Sequence, residues 1–203
     1  MKLNKSFTTA AFAVAACLSP LALHATTITF EEVGDVGLVG PTVTNQYPGV
    51  VFSSTVGFRN VITSQNNIGF GLNFLCTAFN GGFLTCTNET ILTFTAPVSG
   101  LSFYAVGSDD AGNTALVDVF VSNAFAATLP ISTNGIFNTP NFVDLSAFSN
   151  VTSIRLYDIT DGGGLGWDNF TFTGRAVPDG GSTVSLLGFS LLGLAAVRRK
   201  LGC

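Results

Sequence analysis

Between residues 27 and 173 the apolar positions come in short alternating runs: 27–30, 91–94, 101–106, 117–121, 154–157 and 170–172. These runs are rich in Val, Ile, Thr and Phe. Clusters of Gly, Asn, Ser, Asp and Pro separate them, as at 108–113 and 132–140. A period of two residues bounded by turn formers predicts strands that bury one face. No comparable window carries a 3.6-residue apolar stripe with caps. Many short strands without helices predict an all-β fold, a two-sheet β-sandwich of jelly-roll-like form, with eight to ten strands in about 150 residues. The 19 phenylalanines suit the core between the sheets.

Two apolar segments lie outside this pattern. Lys2 and Lys5 precede an apolar run over 7–23, and small Ala25 follows it. A basic start, an apolar centre and a small residue at the end predict a signal peptide over 1–25. The sequence Val14-Ala15-Ala16-Cys17 offers a second cleavage box, which would leave Cys17 as a lipid-bearing N-terminus. At the other end, Val177-Pro178-Asp179-Gly180-Gly181-Ser182-Thr183 leads into an apolar stretch over 184–197. Arg198, Arg199 and Lys200 follow. As a helix, residues 183–197 would reach roughly 22 Å, enough for a single transmembrane helix in a thinned or snorkelled bilayer. The basic cluster keeps the C-terminus cytoplasmic by the positive-inside rule, so the precursor sits in the inner membrane with its body exported. The expected organisation is a signal peptide (1–25), a β-domain (26–176) and a tail (177–203).

The motif, helix and basic cluster, in that order, resemble the PEP-CTERM class of sorting signals. The residues Val177, Pro178, Asp179, Gly180, Gly181 and Ser182 look most like its VPDSG variant, with Gly180-Gly181 in place of Ser-Gly. The resemblance implies recognition by an exosortase-type processing enzyme and delivery to the cell surface or the extracellular matrix. Extracellular polysaccharide is then a candidate partner.

Charge narrows the middle of the chain. Between residues 26 and 176 there are three arginines against eleven carboxylates, a net charge of about −8. A nucleic-acid surface needs the opposite sign. The same stretch holds no His, Lys or Met, which removes Ser-His-Asp and Cys-His catalysis, imidazole metal sites and lysine Schiff bases. Carboxylates and Tyr47, Tyr104 and Tyr157 remain for acid–base work. Cys76 and Cys86 flank a turn signal at Asn80-Gly81-Gly82, and across a hairpin they can meet disulfide geometry in an oxidising compartment.

Three acids share strand parity with apolar residues: Glu32 with Ile28 and Phe30, Asp158 with Ile154 and Leu156, and Asp168 with Phe170 and Phe172. A lone carboxylate on an apolar face calls for amides, a hydroxyl or a cation. The middle also loosely resembles jelly-roll carbohydrate-binding modules. That resemblance implies a structural Ca²⁺ held by Glu31 or Glu32 and Asp168; no other cofactor is expected. Asp109, Asp110 and Asp161 read as solvated turn residues. Trp167, with parity opposite to Phe170, is the candidate outward-facing sugar platform. The leading expectation is a non-catalytic surface or matrix protein. The alternatives are a secreted lectin-like module and, third, a glycosidase, which would need two acids converging across a cleft.

Overall fold

Alternation becomes strand along most of the body. The computed structural model describes residues 23–65, 70–82 and 84–175. Its elements are β1 (Leu23–Ile28), a 3-10 turn (Glu31–Val33), β2 (Val50–Ser54), β3 (Phe58–Ser64), β4 (Asn73–Phe79), β5 (Thr90–Val106), β6 (Ala111–Val121), β7 (Ala124–Asn134), β8 (Asn141–Asp144), β9 (Val151–Tyr157) and β10 (Gly166–Arg175). The expected signal peptide, transmembrane helix, sorting motif and basic cluster lie outside the described residues, apart from 23–25. Those three residues belong to β1, so a cut after Ala25 would fall within that strand. Among the described residues no helix is long and apolar enough to cross a membrane.

All pairings are antiparallel, and the 17-residue β5 joins two groups of strands. Its first half pairs with β2 (Phe94 opposite Val50) and β9 (Leu92 opposite Ile154). Its second half pairs with β8 (Tyr104 opposite Phe142) and β10 (Ala105 opposite Trp167). The register slips between Thr93 and Val98, across Pro97, and Gly100 takes a left-handed φ of 63°. A Pro that cannot donate and a Gly that tolerates positive φ let one strand bend from one group into the other. β6 and β7 extend the first group beyond β9. β4 and β3 extend the second beyond β10, and β1 lies along the far half of β10. The result is all-β and sandwich-like.

The phenylalanines fill the space between. Phe30, Phe52 and Phe170 meet edge to face at 6.1–6.3 Å, Phe103 stacks on Phe170 at 5.3 Å, and Phe94 meets Phe172 at 5.1 Å. Such pairs add to burial through the ring quadrupoles. Leu92, Leu101, Ile154 and Leu156 complete this core.

A smaller apolar cluster lies on the other face of the second group, where Phe74, Cys76, Cys86 and Val106 are buried with Leu84 and Tyr104 against them. Cys76 and Cys86 are disulfide-bonded, with Cα atoms 4.9 Å apart. Residues 79–82 form the turn, closed by Gly82 N–H donating to Phe79 O at 2.8 Å. The Thr77 carbonyl accepts from both Thr85 and Cys86 at 3.1 Å. Because the closed loop is short, the Cys76→Ser/Cys86→Ser variant should lose about 2–3 kcal/mol of stability. Urea titration of oxidised, reduced and variant chains would show this; coincident curves would mean the bridge adds nothing.

Candidate functional site

Of the acids singled out by strand parity, Asp168 is buried on β10, Glu32 lies in the turn after β1, and Asp158, just past the end of β9, is exposed with a φ of 53° rather than on an apolar face. Asp168 lies on β10 directly opposite Tyr104 of β5. Its neighbours Gly166 and Trp167 show which way it faces. Trp167 is fully buried in the core, whereas a Cβ on Gly166 would stand 2.1 Å from the Phe74 ring in the outer cluster. Asp168, two residues on from Gly166, therefore faces outward. It is nevertheless 1 % exposed, because residues 70–73 fold over it. The Phe70 ring stands on Tyr104 at 4.3 Å, and Gly71 lies against the Glu31 carboxylate so closely that a side chain there would collide with it.

Glu31 is brought in by the turn after β1. Phe30, two residues past the end of β1, takes a left-handed φ of 59° and starts the 3-10 turn. Glu31 Oε1 accepts from the Asn73 amide at 2.8 Å. The Asn73 Nδ2 donates to Phe30 O at 3.0 Å and Gly34 O at 2.8 Å, which pins the turn to the start of β4. The turn thus brings Glu31 near enough to Asp168 for its charge to act on that carboxyl. Burial pushes the Asp168 carboxyl up to about 7, and the nearby Glu31 charge adds to it. The amides of Asn169 (2.7 Å) and Phe70 pull the other way. Among the described residues no basic side chain pairs with either carboxylate.

Glu32 does not join them. Its carboxylate accepts from the Tyr47 hydroxyl, and burial together with that carboxylate holds Tyr47 protonated well above its usual range. Both line a cleft of about 240 Å³ with Val33, Pro41, Val43 and Ile62; Glu32 is the one carboxylate among its lining residues.

Asp161 departs from the sequence expectation. It is buried, not solvated. Its Oδ2 accepts from Ser108 Oγ (2.8 Å), Asp110 N (3.1 Å) and Asp109 N (3.2 Å), and its Oδ1 accepts from Gly163 N (3.1 Å). Asp110 in turn accepts from Gly162 N at 3.0 Å. These carboxylates lie within 4.8 Å of one another, and a hydrogen bond to Asp161 raises the Asp109 carboxyl. The group clamps two loops together through their amides, as a side chain satisfying buried backbone does. Its signal in the sequence was the pairing of two acid–glycine clusters, 108–113 and 161–164.

Trp167 requires a correction. It was expected to face outward as a sugar platform, but it is fully buried, edge to face with Phe103 at 5.9 Å. The register shifts between Asp168 and Thr171, and Asn169 takes a φ of 51°. This bulge inserts an extra residue, so Trp167 and Phe170, three apart, face the same core.

Three comparisons complete the description. No curated protein matches the chain. Among solved structures it is similar to the K2 cleaved adhesin domain of Lys-gingipain, with a TM-score of 0.46 at 15% identity, covering 73% of this chain and 99% of that one. Residues 176–201 match the VPDSG-CTERM motif. That stretch contains the motif, apolar run and basic cluster noted in the sequence, and with it the chain carries a C-terminal sorting tag of the VPDSG-CTERM class.

Proposed function

We propose that this chain is an exported, non-catalytic protein of the cell surface or extracellular matrix, delivered there by its tail. In this reading a signal peptide carries the body across, residues 184–197 stop transfer in the inner membrane, and Arg198, Arg199 and Lys200 hold the C-terminus inside. An exosortase-type enzyme then processes the chain at Val177–Ser182. The match of residues 176–201 carries the reading. The disulfide supports it, since such bonds persist in oxidising compartments.

Replacing Pro178 and Asp179 together with Ala should leave the full-length precursor in the inner membrane. Fractionation and intact mass from the host measure this. A variant with unchanged mature mass and location would overturn the reading.

Glu31 and Asp168 fit a structural Ca²⁺, which belongs to the same proposal. Two carboxylates feel each other's charge without a basic partner among the described residues, one of them almost wholly buried, and a divalent cation would offset that cost. Glu32 is not part of this set. Calcium would here tie the turn after β1 to β10.

A further inference from the structure

Beside the buried Asp168 lies an exposed face built from four strands. Phe142 of β8 stands opposite Tyr104 of β5, with ring centroids 5.1 Å apart, and the Phe70 ring meets Tyr104 from the other side at 4.3 Å. Phe142 is 57% exposed and Phe70 56%, so this is an aromatic strip at the surface. Two residues along each strand, on the same face, comes a polar row. Asp144 of β8 is opposite Ser102 of β5, Ser102 is opposite Thr171 of β10, and Thr171 is opposite Thr27 of β1. The two threonine hydroxyls bond to each other at 3.0 Å. Asp144 Oδ1 accepts from the Ser146 amide at 2.8 Å, while Oδ2 takes no hydrogen bond from the described residues. The Ser146 hydroxyl and amide hold the Asp144 carboxyl below its usual range, so it is an acceptor at neutral pH.

We propose that this face of β8, β5, β10 and β1 binds a neutral polysaccharide, with Phe142, Tyr104 and Phe70 under the C–H faces of the sugars and Asp144, Ser102 and Thr171 bonding their hydroxyls. Apolar rings beside hydroxyls and one exposed carboxylate match a ligand that alternates C–H faces with O–H edges. Charge rejects the other occupants. The named residues carry no positive charge, and the body carries about −8, so an acidic polysaccharide or an anionic bilayer is repelled. A second copy of the same face would bury two unpaired Asp144 carboxylates. A purely apolar partner would strand the polar row. The proposal rests on the reading above only for where the polysaccharide is met, since the face itself is independent of the tail.

The test uses the full chain in detergent, run through gels containing dextran, a mannan, a soluble β-glucan or alginate. The expected result is retardation by at least one neutral polymer and none by alginate. The Phe142→Ala/Asp144→Ala variant should bind that polymer roughly tenfold or more weakly while still melting cooperatively as a folded chain, because both side chains are largely exposed. Three results would overturn the proposal: no retardation by any neutral polymer, undiminished binding by the variant, or stronger binding to alginate or anionic vesicles. So would a dimer in sedimentation that the same variant abolishes. The Pro178→Ala/Asp179→Ala chain should bind the polymer as the parent does, so a failure of sorting appears in location alone.

Discussion

Trp167→Ala is expected to cost about 3–5 kcal/mol, enough to unfold much of the population of a domain of ordinary stability. The ring is fully buried, faces Phe103 edge on, and sits on β10 where that strand pairs with both β4 and β5. Truncation there opens a cavity that three strands border and none can fill without shifting. Trp167→Phe separates ring volume from ring polarity. The Nε1–H of Trp167 is buried without a hydrogen-bond partner, a state that costs about 1–3 kcal/mol. Phe keeps most of the contact and removes that donor, so its loss should be well under half that of Ala. Urea denaturation followed by far-ultraviolet circular dichroism measures both. An Ala variant within 1 kcal/mol of the parent, a small fraction of the loss expected for such a truncation, would show that the ring is not part of the core in solution.

Asp168→Asn should flatten the chain's response to pH. The carboxyl titrates near 3.8 when unfolded and about 7 when folded, so between those values the folded chain binds the extra proton. The stability this contributes is complete below about pH 4 and is lost as pH rises through 7. The loss is on the order of 4 kcal/mol by linkage. In chelator the parent should therefore melt lower at pH 8 than at pH 5, and the Asn variant should show much less of that fall. Calcium adds a second contrast. A cation held by Glu31 and Asp168 would restore the parent at pH 8, where the Asp168 carboxyl has lost its proton, and leave the variant unmoved. Equal melting temperatures for the parent in calcium and in chelator at pH 8 would remove the ion. A parent whose stability relative to the Asn variant is flat from pH 4 to 8 would remove the buried proton.

Strand parity was legible where one face is solvated and the other buried, as in 101–106 and 154–157. It was lost in β3 and β4, whose residues are buried in long unbroken runs because loops cover the outer face. Doubly buried strands have no period of two to read. Residues 91–94 and 101–106 read as two strands because Pro97 and Gly100 signal a turn, although here they bend one. The acids show the same limit. Asp168 appeared to continue the Phe170 face, but the bulge at Asn169 turns it to the opposite side, and its burial comes from residues 70–73, distant in sequence. Glu32 shares parity with Phe30 only on paper, since the strand has already ended at Ile28. The hairpin disulfide was legible because its geometry is local.

The pairing of the first strand with the last sets a clock for export. Among the described residues β1 pairs with β10 alone, and β10 also separates β4 from β5. In the proposed export from the N-terminus, β1 waits unpaired until β10 emerges, immediately ahead of the tag, while β3–β4, β5–β9 and β6–β7 can already pair. Closure of such distant ends is slow, and unpaired strand edges invite aggregation meanwhile. In that reading the fold and the tail finish together: the body closes only as the address label itself emerges.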